Sequence, residues 1–323
     1  LKDEDILIVC LYVDDLVFTG NYLRMFEEFK KVMKKEFEMT DIGQMTYYLG
    51  IEIKQKEEGI FITQEGYARE ILKKFKMEDC KPINTPIECA VKLSKYGEGE
   101  YVNPTLFKSL IGSLRYLTCT RPDIFFSVGF VSRYMESPTT THLKAAKRIL
   151  RYIKGTIDLG VLYSSSNEYK LAGYSDSDWA EDTDDRKSTT GFVFFIGDTA
   201  FTWMSKKQPI VTLSTCEAEY VAATSCVCHA IWLRNLLKEL NMQQEEPTNI
   251  YVDNKSAIAL AKNPVFHDRS KHIDTRYHYI RECIARKEVY IKYVKSQEQA
   301  ADIFTKPLKN EDLVKMRRLL GQN

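Results

Sequence analysis

The sequence predicts a mixed α/β (α+β) chain, in which two β-hairpins and a run of amphipathic helices precede a five-stranded mixed sheet with helices packed on it. Three observations carry this. Short β-rich runs are separated by turn signals over the first 63 residues. Apolar residues then recur three and four apart between Leu106 and Ile153. From about Tyr169, three strand-like runs are followed by helices alternating with two further strands, the order of a mixed sheet covered by helices.

At 323 residues, with 44% apolar and 28% charged content, the chain exceeds one ordinary core, and two or three domains are expected. No stretch approaches the ~18 consecutive apolar residues of a membrane span, so no membrane partner is expected. The start, Leu1-Lys2-Asp3-Glu4-Asp5, has neither an initiator Met nor a signal-peptide charge pattern, as expected of a piece of a longer protein. The eight cysteines show no repeated C-x-x-C, which speaks against a disulfide framework or zinc knuckle and for a reducing compartment. Cys226-Val227-Cys228-His229 lies in an apolar helical run and reads as buried thiols rather than a metal site. With a net charge of only +1, any polyanion has to be held by local patches.

Ile6–Tyr12 and Leu16–Thr19 flank Asp14-Asp15, a hairpin with its acids at the turn. Phe26, Phe29, Met33 and Phe37 then stripe a charged helix. A second hairpin, Tyr47–Lys54 and Gly59–Thr63, precedes a helix carrying Tyr67, Ile71 and Phe75. Pro82, Pro86, Gly97, Gly99 and Pro104 break every periodicity and mark an extended connector. Three helices follow, marked by Leu106, Leu110, Leu114 and Leu117, by Ile124, Val128, Val131 and Met135, and by Leu143, Ala146, Leu150 and Ile153. They read as a small helical domain. Lys144, Lys147, Arg148, Arg151 and Lys154 share the outward side of the third, either a track for phosphates or a solvated face.

The sheet is expected from strands at Tyr169–Ser175, Gly191–Ile196, Ala200–Met204, Asn249–Asp253 and Val289–Val294. A long helix from Thr215 to about Leu240 follows the third of them, one helix follows the fourth, another is expected around Asp274–Ala285, and a last helix comes near Asp302. Strand alternation puts Asp176 at the C-terminal end of the first strand, with Asp178 a rival and turn formation the plainer role for both. On the long helix, Ser214 and Glu217 have the spacing of a capping box, which gives Glu217 a structural task. Glu219 shares a seam with Ala223, Cys226, Ala230, Leu233 and Leu237, and a carboxylate on a buried seam needs a counter-charge, for which a divalent cation is suited. Asp253 ends an apolar strand, where it or Asn254 could be an N-cap. Asp302 enters the last helix, where an acid suits the helix dipole. Singly each is weak; together, four carboxylates suit hard Mg²⁺ ions in charge and ligand type.

The segments Gly173-Tyr174-Ser175-Asp176-Ser177-Asp178-Trp179-Ala180, Leu213-Ser214-Thr215-Cys216-Glu217-Ala218-Glu219-Tyr220, Val252-Asp253-Asn254, Ser270-Lys271-His272-Ile273-Asp274-Thr275-Arg276-Tyr277-His278 and Ala301-Asp302-Ile303-Phe304-Thr305-Lys306-Pro307-Leu308 resemble the ribonuclease H of copia-type retrotransposon Pol polyproteins. The resemblance implies that Asp176, Glu219, Asp253 and Asp302 bind two Mg²⁺, with Mn²⁺ an alternative, and cut RNA in RNA–DNA hybrids. It implies products with a 3′-hydroxyl and a 5′-phosphate, and recognition by 2′-hydroxyls and duplex shape. Leu11-Tyr12-Val13-Asp14-Asp15 resembles the metal-binding hairpin of reverse-transcriptase palms, and Leu49-Gly50-Ile51-Glu52-Ile53 with the helices to Lys154 resembles the primer grip, thumb and connection. The implied division is a partial palm over 1–63, a helical thumb and connection over 64–165, ribonuclease H over 166–309 and a tail over 310–323.

Implied partners are the hybrid, primer–template nucleic acid and the other Pol and Gag segments of the element. The implied location is cytoplasmic, in virus-like particles, with nuclear entry possible in such elements. The family's third polymerase aspartate and fingers precede this hairpin and are not in this stretch, so no DNA synthesis is expected from it alone. The stretch Tyr293-Val294-Lys295-Ser296-Gln297-Glu298-Gln299 lacks the histidine that many cellular ribonucleases H carry before the last aspartate. His272 and His278 are the candidates left, for substrate contact or packing. Two other readings are a defective copy acting only as a nucleic-acid-binding or structural module, and an integrase of the same fold. The retained acids weigh against the first. The upstream hairpin and the lack of zinc-type His/Cys pairs weigh against the second.

Overall fold

The computed structural model describes residues 5–165, 169–263, 273 and 275–322. Its N-terminal hairpin pairs β1 (Leu7–Tyr12) with β2 (Asp15–Gly20), and the turn places Val13 in the left-handed region at φ 52°. Helix α1 (Leu23–Glu36) lays Phe26 and Phe29 against Phe18. The short β3 (Tyr47–Tyr48), β4 (Ile51–Lys56) and β5 (Gly59–Thr63) form an antiparallel sheet, followed by α2 (Glu65–Lys74). After the connector come α3 (Pro104–Leu117), whose N-cap Asn103 accepts from the amides of Thr105 and Leu106, then α4 (Phe125–Ser132) and α5 (Thr140–Lys154). Phe107 and Ile111 are buried on α3, whereas Leu106 is exposed, so the apolar stripe is centred one residue beyond its predicted start.

A strand absent from the sequence reading, β6 (Val161–Ser164), joins the edge of β5 and closes the first sheet with residues 100 positions downstream. The second sheet contains β7 (Leu171–Ser177), β8 (Thr189–Ile196), β9 (Thr199–Lys207), β10 (Thr248–Val252) and β11 (Val289–Tyr293), in the order β11-β10-β7-β8-β9. β8 runs antiparallel to both β7 and β9, while β10 runs parallel to both β7 and β11. This is the mixed five-stranded sheet that the strand pattern predicted.

One face of the sheet receives α6 (Thr215–Glu239), α7 (Lys255–Lys262) and α8 (Tyr279–Ala285), burying Phe192 and Phe194 with Cys226, Ala230 and Leu233. The other face presents Val193, Phe195 and Ala200 to a core built by α2, α3, α4 and α5. Helix α9 (Asn310–Leu319) joins that same core through Leu313 and Met316. Apolar packing therefore runs across the positions 165 and 309, two of those at which the resemblance implied divisions. Burial of both sheet faces matches the continuous apolar run Gly191-Phe192-Val193-Phe194-Phe195 of β8, which follows the buried Thr189 and Thr190.

Asp302 sits in a 3-10 segment, Ala300–Phe304, rather than on an α-helix, and a second such turn, Ser296–Glu298, precedes it. Gly191 explains how the segment reaches the sheet. A Cβ at Gly191 would lie 2.8 Å from Phe304 Cβ and 2.7 Å from Thr305 Cγ2, so only glycine admits this approach. Gly191 is also the register partner of Asp176, and the close approach delivers Thr305 and Lys306 to that aspartate.

Candidate metal centre

Asp176, Glu219 and Asp253 come together. Each offers a carboxylate oxygen, all within 4.8 Å of one another, and among the described residues they form the one group of three or more such ligands. Local structure delivers each of them. Asp176 closes β7, with Thr305 Oγ1 donating to its Oδ2. Ser214 caps α6 by accepting from the Glu217 amide, and the Glu217 carboxylate takes the Leu213 amide at 2.7 Å. That leaves Glu219, one turn in and 4% exposed, to face the sheet, and its Oε2 makes no hydrogen bond. Asn254 Oδ1 caps α7 by accepting from the amides of Ser256 and Ala257, which frees Asp253 to accept from Ser296 Oγ at 2.8 Å.

Asp302 stands beside this group rather than within it. Lys306 Nζ lies 2.8 Å from Asp302 Oδ1 and 3.7 Å from Asp176 Oδ2, so one ammonium links the two acids. In the sequence Lys306 is one residue of a motif with no role of its own, and its i,i+4 spacing to Asp302 is the signal that points to this pair.

The acids repel one another. Burial, followed by the charges of Asp176 and Asp253, pushes the Glu219 carboxyl well above its ordinary value. Burial and then Asp176 push Asp302 up to about 7, against the opposing pull of Lys306. Burial also raises Asp253, partly countered by the Ser296 hydrogen bond.

These shifts set a sign for stability. Without metal, the folded chain holds protons on Glu219 and Asp302 that the unfolded chain releases above about pH 4, so this contribution is lost as pH rises toward neutrality. In EDTA, the melting temperature is expected to fall from about pH 5 to about pH 8 more steeply for the wild type than for a Glu219→Gln, Asp302→Asn double variant. Equal slopes would show that these groups are not raised.

The donor set fits hard divalent cations. All ligands are oxygens, three converge, and a buried carboxylate oxygen is left without a donor. The other candidates lie elsewhere. Asp14 and Asp15 are exposed at the β1–β2 turn. Asp178 is buried with its amide donating to Thr189 O, is raised by burial to about 6, and stands outside the group of three. His278 Nδ1 meets Tyr220 OH at 2.9 Å, while His272 lies outside the described residues.

On α5, Arg148 binds Glu88 and Thr85, and Arg151 Nε donates to Lys81 O. Those two pin the connector to the helix, and of the five basic residues Lys144 and Lys147 are exposed. Cys226 is buried as expected, but Cys228 turns to the surface. No helix among the described residues is long and apolar enough to cross a membrane.

A mixed sheet carrying converging acids thus follows an N-terminal hairpin with two adjacent aspartates at its turn. Residues 2–89 match the family described as reverse transcriptase (RNA-dependent DNA polymerase). The chain is 37% identical, over 99% of its length, to the retrovirus-related Pol polyprotein from transposon RE2 of Arabidopsis thaliana, and covers 22% of that polyprotein. It is also 38% identical to an uncharacterized mitochondrial protein of Arabidopsis thaliana, over 70% of this chain and 94% of that one. The chain belongs to the copia-type retrotransposon Pol family. Among solved structures, the N-terminal RNase H domain of a Mycobacterium tuberculosis protein aligns with 46% of this chain and 97% of that one, at 15% identity and a TM-score of 0.30.

Proposed function

We propose that this chain hydrolyses the RNA strand of RNA–DNA hybrids during reverse transcription, using two divalent metal ions held by Asp176, Glu219, Asp253 and Asp302. The observation that carries this reading is the meeting of three carboxylates from β7, α6 and the end of β10, with Asp302 on their flank. When bound, magnesium supplies water activation and stabilisation of the leaving oxygen. The chain supplies the rest. Asp176 would serve both sides of the site, because it lies in the group with Glu219 and Asp253 and shares the Lys306 ammonium with Asp302. Glu219 and Asp253 flank it, and the Ser296 hydrogen bond holds the Asp253 carboxylate in place. Water adds to the scissile phosphorus, the bond to the 3′-oxygen breaks, and that oxygen takes a proton, leaving a 3′-hydroxyl and a 5′-phosphate.

The exposed Asp14 and Asp15 belong, in this reading, to a polymerase centre that other Pol segments complete. The exposed Lys144 and Lys147 are, in this reading, available to the phosphates of the duplex. The working place is the cytoplasmic particle of the element.

The test is incubation of the purified chain with Mg²⁺ and end-labelled hybrid, single-stranded RNA, double-stranded RNA and double-stranded DNA. Cleavage confined to the RNA of the hybrid and abolished by EDTA is expected. A folded protein that left the hybrid intact, or cut single-stranded RNA as readily, would overturn the reading.

A further inference from the structure

The Lys306 ammonium occupies the space between Asp302 and Asp176 that a second cation would need. Its nitrogen is 2.8 Å from one carboxylate oxygen and 3.7 Å from the other, distances that leave no room for a divalent ion bridging the same pair. The backbone beneath it is fixed, since the Lys306 amide donates to Asp302 O at 3.2 Å and Thr305 Oγ1 also accompanies Asp176. The side chain is not fixed in the same way. It stays 38% exposed on a flexible four-carbon stem, so the ammonium can leave while the backbone remains.

We propose that Lys306 is a resident cation that keeps the Asp176–Asp302 side of the centre closed to a second divalent ion. Without nucleic acid, the chain takes one ion, on Asp176, Glu219 and Asp253. A phosphodiester arriving beside the site competes for the ammonium and opens the second position. The acids are thus never left without a cation on the Asp302 flank, where their mutual repulsion would otherwise act at close range. The proposal rests on the metal-dependent reading above.

It is tested by titrating the full chain with Mn²⁺ and counting bound ions from the electron paramagnetic resonance of free Mn²⁺, without nucleic acid. The wild type and Lys306→Arg are expected to bind one ion, and Lys306→Met two. If the wild type also takes a second ion, it is expected to do so roughly tenfold or more weakly than Lys306→Met, the penalty of one opposed charge. Two ions bound equally well by wild type and Lys306→Met would remove the role of Lys306 and leave the nuclease reading standing. A folded wild type that bound no Mn²⁺ would remove both.

Melting curves guard against a folding defect. Lys306→Met is expected to melt below the wild type in EDTA and to recover with Mn²⁺, because the metal replaces the lost charge. A variant unfolded in both conditions would make Lys306 a purely structural residue and overturn the proposal.

Discussion

Asp176→Asn is expected to lower hybrid cleavage by roughly a thousandfold while leaving the metal-free protein as stable as before, or more so. Asp176 is the acid at which the others converge. It shares the group of three with Glu219 and Asp253, and it faces Asp302 across Lys306. A metal centre of this kind contributes several kcal/mol to the transition state, and each ~1.4 kcal/mol is a factor of ten in rate. Asparagine keeps the size of the side chain and removes one charge from a buried, repelling set, so folding loses nothing on that account.

The informative control lies two residues from Glu219, another acid of the group. Glu217→Gln should cut the hybrid within a few-fold of the wild type, because Glu217 binds the Leu213 amide and belongs to the helix cap. Its cost should appear as stability, about 1 kcal/mol. Initial rates on labelled hybrid and melting curves in EDTA separate the two variants. If Asp176→Asn retained cleavage within about tenfold of the wild type, Asp176 would not be the shared ligand.

What could be read in the sequence was what short-range periodicity encodes. The helical period told Glu219 from Glu217, and strand alternation placed Asp176 at the end of its strand. The same rules failed wherever the outcome depended on a distant segment. The outward side of α5 was legible as a basic stripe, but nothing local says that the connector folds back over it and captures Arg148 and Arg151. β6 is four residues long, and its partners are β5, about a hundred residues earlier, and Gly321 and Gln322 near the other end of the chain. Lys306 is neutral as a motif member and becomes a counter-ion only because Gly191 lets the last 3-10 segment close on β7 and β8. The two thiols expected to be buried show both outcomes on one helix turn, since the seam that buries Cys226 points Cys228 outward.

Asp123 follows the same logic, and its substitution should have the largest effect on stability. Asp123 directly precedes Ile124, the first residue that marked the second helix in the sequence, and was not itself singled out. In the structure Arg121 and Asp123 are each 2% exposed and form a two-pronged pair, Nε to Oδ1 at 2.9 Å and Nη2 to Oδ2 at 2.7 Å. Tyr152 OH donates to the same carboxylate at 2.7 Å, and Gln322 Nε2 does so at 2.9 Å. Arg317 Nη1 donates to Tyr152 OH, and Arg121 also donates to Thr156 O. Burial alone would raise the Asp123 carboxyl, but the guanidinium of Arg121 reverses this and holds it below the ordinary range.

The network joins the start of α4, the end of α5 and the residues after α9, so it fastens the last residues of the chain to the helices beneath the sheet. Asp123→Ala leaves a buried guanidinium and two donors without their acceptor, and a broken buried pair costs about 3–5 kcal/mol. A loss of that size is a large part of the stability of an ordinary domain. Replacing both partners with apolar residues, Arg121→Met with Asp123→Leu, should cost much less, because no buried charge is left unpaired. Urea unfolding of the two variants decides it. Equal losses would mean that the pair acts through shape and packing, and a loss below about 1 kcal/mol for Asp123→Ala would mean that water reaches Arg121 once the carboxylate is gone.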